Sequence, residues 1–347
     1  MRVLLVTPSS PDRLHHLVPL AWALRTSGHA VQIAARPAFT DAVTATGLVA
    51  VAVGEDTPGE REGSPDARLA APADVEGLTA HGGRWRPRLV LWDAAAPAGA
   101  TAAGLLGAAH VRVDGPFDPA PPGAGADTDA GEPPHGTLDC LPPSLRPAGA
   151  GEPGADGPRA LSVRPVPYDG PKVIPVWLRR TPRVRRVHVA ADVPDEAVPA
   201  LFEAAAGLDA ELLFARPADR VPPGVRLPSQ VRLLDSVPAA VLPSCTAVVH
   251  GGGTALAVAA LAHGLPQLVL TGAPAGHAGP ADGIVARLAH LGAAAVTGPA
   301  HLDAGVLREI AGDSPLRARA ALLGRETAAL PTPRDIVPEL TGLAADR

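Results

Sequence analysis

Two Rossmann-like α/β halves facing each other across a cleft are the architecture this chain predicts, on three observations. Short, wholly apolar runs alternate with helical segments from the start, as in a parallel sheet buried on both faces. The alternation breaks at a proline-rich stretch near the middle and then restarts. The length of 347 residues exceeds one ordinary core, and 46% hydrophobic residues suffice to fill two.

The first half reads as follows. Residues 2–7 (RVLLVT) form a continuous apolar strand, and the PSSPDRLHH that follows reads as a loop. Residues 17–29 carry leucines and alanines on one stripe and stop at Gly28, the usual helix terminator. A strand at 30–35, a helix at 37–47 and a strand at 48–53 complete a βαβαβ run, whose ligands sit beyond the carboxyl ends of the strands. Residues 54–83 are polar and mixed, with room for one short helix. A strand at 86–93, an alanine-rich helix at 96–107 and a strand at 109–114 come next. Residues 115–158 are dense in Pro and Gly and read as a loop-rich, partly disordered connection. Repeated prolines make 161–178 an extended segment suited to a linker.

The second half repeats the pattern. A strand at 185–191, a helix at 195–208 and a strand at 210–215 precede short strands at 231–235, 247–249, 267–270 and 293–297. Residues 302–312, 314–330 and 335–344 read as closing helices. The domains expected are therefore 1–160 and 183–347, joined by a linker at 161–182.

Composition narrows the function. A net charge of −5 offers no global field for nucleic acid or an anionic membrane. The two cysteines, Cys140 and Cys245, make neither a disulfide framework nor a metal site, and Cys245 is expected in the core. The chain opens directly into a strand and no apolar run reaches membrane length, so a cytoplasmic protein with no membrane partner is expected. A dinucleotide dehydrogenase is disfavoured because the first strand is followed by PSSPDR and not by a glycine fingerprint.

The stretch AVVHGGGTALAVAALAHGLPQLVL (residues 247–270) organises the second half. A strand runs into a turn at His250, Gly251, Gly252 and Gly253, then a helix from about Thr254 that stops near Gly264, then a second strand. The amides at such a helix start point outward without partners, backed by the positive end of the helix dipole, and make a seat for phosphate. Taken alone, a glycine turn between strand and helix marks plain topology as readily as a ligand. His250 is placed to hydrogen-bond a phosphate oxygen, and Gly251 to Gly253 with Thr254 supply amides and a hydroxyl. Gln267 is read as closing the following strand.

That string stands with MRVLLVT and LVPLAWALRTSGHAVQIAARPAFTDAVTATGL at the start, WRPRLVLWDAAAPAGATAAG in the middle, and LPPSLRP, VPYDGPKVIPVWL and GVRLPSQVRLLDSVPAAVLPSCT further on. In this order and spacing the chain resembles the bacterial antibiotic-type (macrolide/polyketide) family 1 glycosyltransferases of the GT-B fold. These enzymes move a deoxysugar from a nucleotide-diphosphate donor to a polyketide or related aglycone. The resemblance implies an NDP-sugar as co-substrate, no cofactor and no metal. It implies an NDP-sugar and a small-molecule aglycone as partners, no nucleic acid, and a homodimer or an auxiliary protein as the protein partner. It places Ser236 and Val237 beside the nucleobase and the turn from His250 to Thr254 at the diphosphate. The sugar hydroxyls fall to the segment after the PQ strand, where Asp282 and His277 stand slightly displaced.

In the N-terminal half the resemblance implies a histidine base, four residues before LVPL, that deprotonates the acceptor hydroxyl for inverting attack. Here that position is Arg13, and an arginine stays protonated. His15 and His16 are two and three residues on and either is a candidate base, with Asp12 a further one; Arg13 and Asp93 are assigned to the acceptor pocket. The turn departs as well from the family's His-His-Gly-Gly-x-Gly-Thr. An ungapped match puts Gly251 at the phosphate-binding histidine, and a gapped match puts His250 there; both remain open. Asp192 falls near a glycine expected after the first strand of the second half, and a carboxylate there weakens anion binding by about 1 kcal/mol. Against the family it resembles, the chain reads as trimmed at residues 54–83 and 115–158, where relatives build much of the acceptor pocket. Two readings follow. One is an active transferase with a shifted base. The other is a non-transferring GT-B homologue acting as an auxiliary or ligand-binding protein, or with a repurposed cleft chemistry, in natural-product biosynthesis.

Overall fold

In a computed structural model describing residues 1–56, 68–117, 133–146, 158–272 and 283–345, seven parallel strands form the sheet of the N-terminal unit. They are β1 (Arg2–Val6), β2 (Ala30–Ala35), β3 (Val49–Ala52), β4 (Leu89–Asp93), β5 (Ala109–Asp114), β6 (Gly136–Asp139) and β7 (Arg159–Ser162). Their order is β3-β2-β1-β4-β5-β6-β7, which reverses between β1 and β4. Helices α1 (Pro11–Thr26), α2 (Thr40–Ala45), α3 (Pro72–Trp85) and α4 (Ala98–Leu106) cover the two faces. Alternate residues of β1 serve opposite faces, as the pleat requires. Val3 and Leu5 pack with Leu14, Leu17 and Leu24 of α1, whereas Leu4 and Val6 pack with Leu78 of α3 and Ala103 of α4. Each such buried leucine or valine contributes about 2 kcal/mol.

Two expectations for this unit are corrected. The first helix begins at Pro11, not at residue 17. Proline suits the first helical position because its missing N–H has no intrahelical partner there, and Asp12 in the first turn complements the dipole. Asp12, Arg13, His15 and His16 therefore lie on helix and not in a loop. Strands β6 and β7 were expected as loop and linker, yet they extend the sheet, with Val113 opposite Leu138 and Leu138 opposite Leu161. Four-residue strands embedded in Pro and Gly carry too little periodicity to be seen. Residues 118–132 and 147–157, part of the expected disordered connection, lie outside the described residues.

The C-terminal unit repeats the design. Its strands are β8 (Arg185–Val189), β9 (Ala210–Phe214), β10 (Val231–Leu233), β11 (Ala247–His250), β12 (Gln267–Leu270) and β13 (Ala294–Thr297). Their order is β10-β9-β8-β11-β12-β13, and the reversal falls between β8 and β11. Helices α5 (Val198–Ala206), α6 (Thr254–Ala262), α7 (Ile284–His290), α8 (Ala304–Ala311) and α9 (Pro315–Ala328) surround it. Val187, Val189 and Val249 pack with α5 and α8, while Val248 packs on the opposite face with Ala259 and Ala260 of α6. Cys245 is buried in that second cluster, and burial pushes its thiol up to about 12.

The closing helix α10 (Val337–Leu343) belongs to the other unit. Ile336, Val337, Leu340 and Ala344 join the N-terminal core beside Leu138 and Leu161. Arg164 N–H donates to Pro331 O (2.7 Å), Arg88 Nη2 to Ala344 O (2.9 Å), and Arg159 pairs with Glu339 (2.9 Å). The units are thus Met1–Leu141 with Arg146–Pro171 and Leu330–Arg347, and Pro142–Leu145 with Lys172–Ala329. Assigning all of 183–347 to one domain is corrected by these contacts. Which core an amphipathic helix joins depends on tertiary contacts, not on its place in the chain. No helix among the described residues is long and apolar enough to cross a membrane. Among the described residues no group of three or more His, Cys, Asp or Glu is placed to hold a metal ion.

Leu340 is fully buried, so Leu340→Ala should destabilise the N-terminal unit by about 2–5 kcal/mol. Amide hydrogen exchange should quicken in β1 and β5 and stay unchanged in β8 and β11.

Candidate functional site

Where a parallel sheet reverses its strand order, the two central strands send their connections to opposite faces and leave a crevice at their carboxyl ends. In the C-terminal unit that crevice is lined by residues after β8, ending at Val189, and after β11, ending at His250. Gly251 N–H donates to Asp192 Oδ1 (2.9 Å) and Gly253 N–H to Asp192 Oδ2 (2.8 Å). Gly253 is the N-cap of α6 and supplies no side chain, so the first-turn amides of Thr254, Ala255 and Leu256 have no acceptor within the helix.

His250 does not face a ligand. It is fully buried, accepts at Nδ1 from Gly252 N–H (3.1 Å) and lies 3.0 Å through Nε2 from Gln267 Oε1. Gln267 in turn donates through Nε2 to Ala257 O (2.9 Å), which orients its amide and fixes the proton of His250 on Nε2. Both ring nitrogens are committed to the protein, and the expectation that His250 bonds a phosphate oxygen is corrected. Gln267, read as a strand-closing residue, instead ties the turn to α6.

The other donor candidates distribute unevenly. Val237 is a core residue packed with Leu213 and Cys245, so its side chain is not a wall for a base. Ser236 is exposed on the same carboxyl edge of the sheet, three residues after β10. Thr254 is half-buried at the first position of α6. Asp282 and His277 lie outside the described residues.

Sequence reasoning passed over Arg216, which follows β9. Its buried guanidinium donates to the carbonyls of Val193 and Ala191, pairs with Asp195, and lies over the Phe214 ring at 5.0 Å. It clamps the loop that carries Asp192. A lone arginine in a loop gives no pattern by which to find it.

In the N-terminal unit the corresponding crevice lies between β1 and β4. Asp93, the last residue of β4, is buried, and Arg13 on the first turn of α1 pairs with it through Nη1 at 2.6 Å. Asp93 Oδ1 also accepts from Ala95 N–H (2.8 Å). The Arg13 guanidinium stands 5.5 Å from the centroid of Phe117, and the His16 ring meets the same phenyl edge-on at 6.1 Å. Arg13 and His16 are three residues apart and share a helix face. His15 sits about 100° round the helix. It packs edge-on against Tyr168 at 5.2 Å, which also contacts Trp22 at 4.9 Å. Asp12 is exposed. The structure therefore brings together Arg13, Asp93, His16 and Phe117, and turns His15 to a separate aromatic cluster.

Burial lowers the pKa of His250 below its ordinary 6.5. The unfolded chain takes up a proton near 6.5 that the folded chain refuses. The stability contributed by a neutral His250 is therefore complete above that pH and lost on acidification, at up to about 1.4 kcal/mol per pH unit. The unfolding midpoint of the C-terminal unit, followed in urea below pH 6.5, should be less acid-sensitive in His250→Asn than in the parent.

Residues 199–343 match the family described as erythromycin biosynthesis protein CIII-like, C-terminal domain, and residues 22–60 and 126–191 match its N-terminal domain. The chain is 33% identical to tylactone mycaminosyltransferase of Streptomyces fradiae over 99% of its own length and 93% of the relative's. That alignment runs to 432 positions for a chain of 347 residues, so the relative carries segments that this chain lacks. Among solved structures it is similar to spinosyn forosaminyltransferase SpnP, at 30% identity and TM-score 0.79 over 99% of both chains. It is similar also to glycosyltransferase VinC in complex with dTDP, at 29% identity and TM-score 0.79 over 100% of both. The two switch-point units and these likenesses agree, and the chain belongs to the bacterial antibiotic-type family 1 glycosyltransferases of the GT-B fold.

Proposed function

We propose that this enzyme transfers a deoxysugar from an NDP-sugar to a polyketide-like aglycone, with inversion, in the cytoplasm. The observation that carries the reading is the glycine turn at the switch point of the C-terminal sheet, where Gly251, Gly253 and the first turn of α6 present amides at one place. In this reading the diphosphate takes the amides of Gly251 and Gly253 together with those of Thr254, Ala255 and Leu256, with the α6 dipole behind them. The chain around Ser236 borders the nucleobase, and Asp282 serves the sugar hydroxyls.

The acceptor belongs to the N-terminal unit. Arg13, Asp93 and Phe117 form its wall, the phenyl ring offering an apolar face and Arg13 a fixed cation. His16 is the base: it shares the face of α1 with Arg13 and borders Phe117, whereas His15 is packed on Tyr168. His16 takes the proton of the acceptor hydroxyl as its oxygen attacks the anomeric carbon. The bond from that carbon to the phosphate oxygen breaks, and the nucleoside diphosphate leaves with the electron pair. Asp93 is held by Arg13 and by Ala95 N–H and has a structural role in this reading.

The test is turnover of a dTDP-deoxysugar panel with macrolactone and anthracyclinone acceptors, read by mass spectrometry as glycosylated product. Product is expected, and its absence from every pair overturns the reading. His16→Ala should lower kcat by about 10²–10⁴-fold, while His15→Ala should stay within about tenfold of the parent. The reverse pattern would move the base to His15. Separately, Arg13→Ala removes the cation beside the buried Asp93 carboxylate and should cost about 3 kcal/mol of stability in urea unfolding.

A further inference from the structure

Asp192 places an anion on the very amides that a diphosphate is read to approach. Both of its carboxylate oxygens are engaged, on Gly251 N–H at 2.9 Å and Gly253 N–H at 2.8 Å. A carboxylate bridging two backbone amides at a helix start is the arrangement a phosphate group adopts there. We propose that Asp192 is an internal anion occupying the donor seat, and that a nucleoside diphosphate binds by displacing it. The inference rests on the donor-seat reading above.

The glycines of the turn give independent support. A Cβ on Gly251 would stand 2.0 Å from the Asp192 carbonyl oxygen, and one on Gly253 would stand 2.7 Å from Asp192 Oδ2. Gly251 is thus small because the Asp192 backbone lies against it, and Gly253 stands directly against the carboxylate. Gly252 is different: a Cβ there would meet nothing within 4 Å, and its φ of +115° is what a glycine is needed for. The turn leaves room for the Asp192 backbone at Gly251 and for its carboxylate at Gly253.

The backbone carrying Asp192 is anchored on both sides. Arg216 donates to the carbonyls of Ala191 and Val193 and pairs with Asp195. The side chain of Asp192 is itself exposed, so rotation of the carboxylate toward water clears the amides without moving the loop. Until it does, its charge offsets the half-charge at the start of α6 and repels an incoming anion. A diphosphate carries more negative charge than one carboxylate and can reach the first-turn amides as well, so it wins the exchange at a cost in affinity. Asp192 thereby sets how much donor is needed to fill the site and satisfies the turn when no donor is present.

The experiment is calorimetric titration of the full-length parent, Asp192→Ala and Asp192→Asn with dTDP, at low and at high salt. Both variants should bind dTDP at least about tenfold more tightly than the parent at low salt, since two charge-assisted bonds no longer have to be broken. The advantage should shrink as salt screens the charge. Asparagine keeps the size and one acceptor oxygen, so it reports on the charge even where alanine loosens the turn. If the parent binds dTDP and both variants bind it equally or more weakly, Asp192 is only a cap for the turn. The proposal then falls and the donor seat stands. If neither parent nor variants take up dTDP at millimolar concentration, the donor-seat reading and the proposal fall together.

Discussion

Where β11 lies against β8 in parallel register, with Val248 opposite His188, the chain leaves two neighbouring strands toward opposite faces of the sheet. The connection after β8 leads to α5 in one core cluster, and that after β11 leads to α6 in the other. No strand can close the gap between their ends, so backbone polar groups that a ladder would satisfy are left at the carboxyl edge. Every functional feature of the unit follows from how those groups are dealt with. Asp192 arrives from one side of the gap, the glycine amides from the other, and the closeness of the two backbone segments dictates glycine at 251.

The N-terminal unit meets the same constraint with different chemistry. Its reversal lies between β1 and β4, with α1 and α4 on opposite faces. The gap is occupied by a buried carboxylate at the end of β4 and a cation from the first turn of α1. A buried ion pair adds little net stability, but either partner alone is costly, so Arg13 and Asp93 hold each other in place. In the proposed mechanism the base is His16, the imidazole on the same helix face.

Much of the frame was readable from the chain. Apolar runs such as RVLLV and LVLWD are strands buried on both faces, and periodicity together with terminal glycines located most helices. What escaped was short or contextual. GTLD and RALS are too brief to announce themselves, and α10 carries no mark of the core it joins. The start of α1 was legible in Ser10-Pro11-Asp12 but was outweighed by the loop-like composition around it. At the site, the glycine turn and its place at a strand end could be read, whereas the inward turn of His250 could not. A histidine beside glycines looks the same in sequence whether it bonds a phosphate or a buried glutamine. Asp192 was legible as an acid near the turn, but its seat on the Gly251 and Gly253 amides and the clamp from Arg216 depend on strand order, which no local pattern encodes.

His250 and Asp192 hold the same turn for different reasons. His250 receives Gly252 N–H, passes to Gln267 and through it to Ala257 within α6, in a fully buried network. A satisfied buried network of this kind resists rearrangement, because each lost bond strands a polar group away from water. It fixes the path of the backbone whether or not an anion is present. Asp192 sits outside that network, exposed, and contributes charge without being needed for shape. The amides flanking Gly252 therefore keep their directions when the carboxylate leaves. A ligand that replaces it meets donors already aimed, with no ordering of the turn to offset its binding energy.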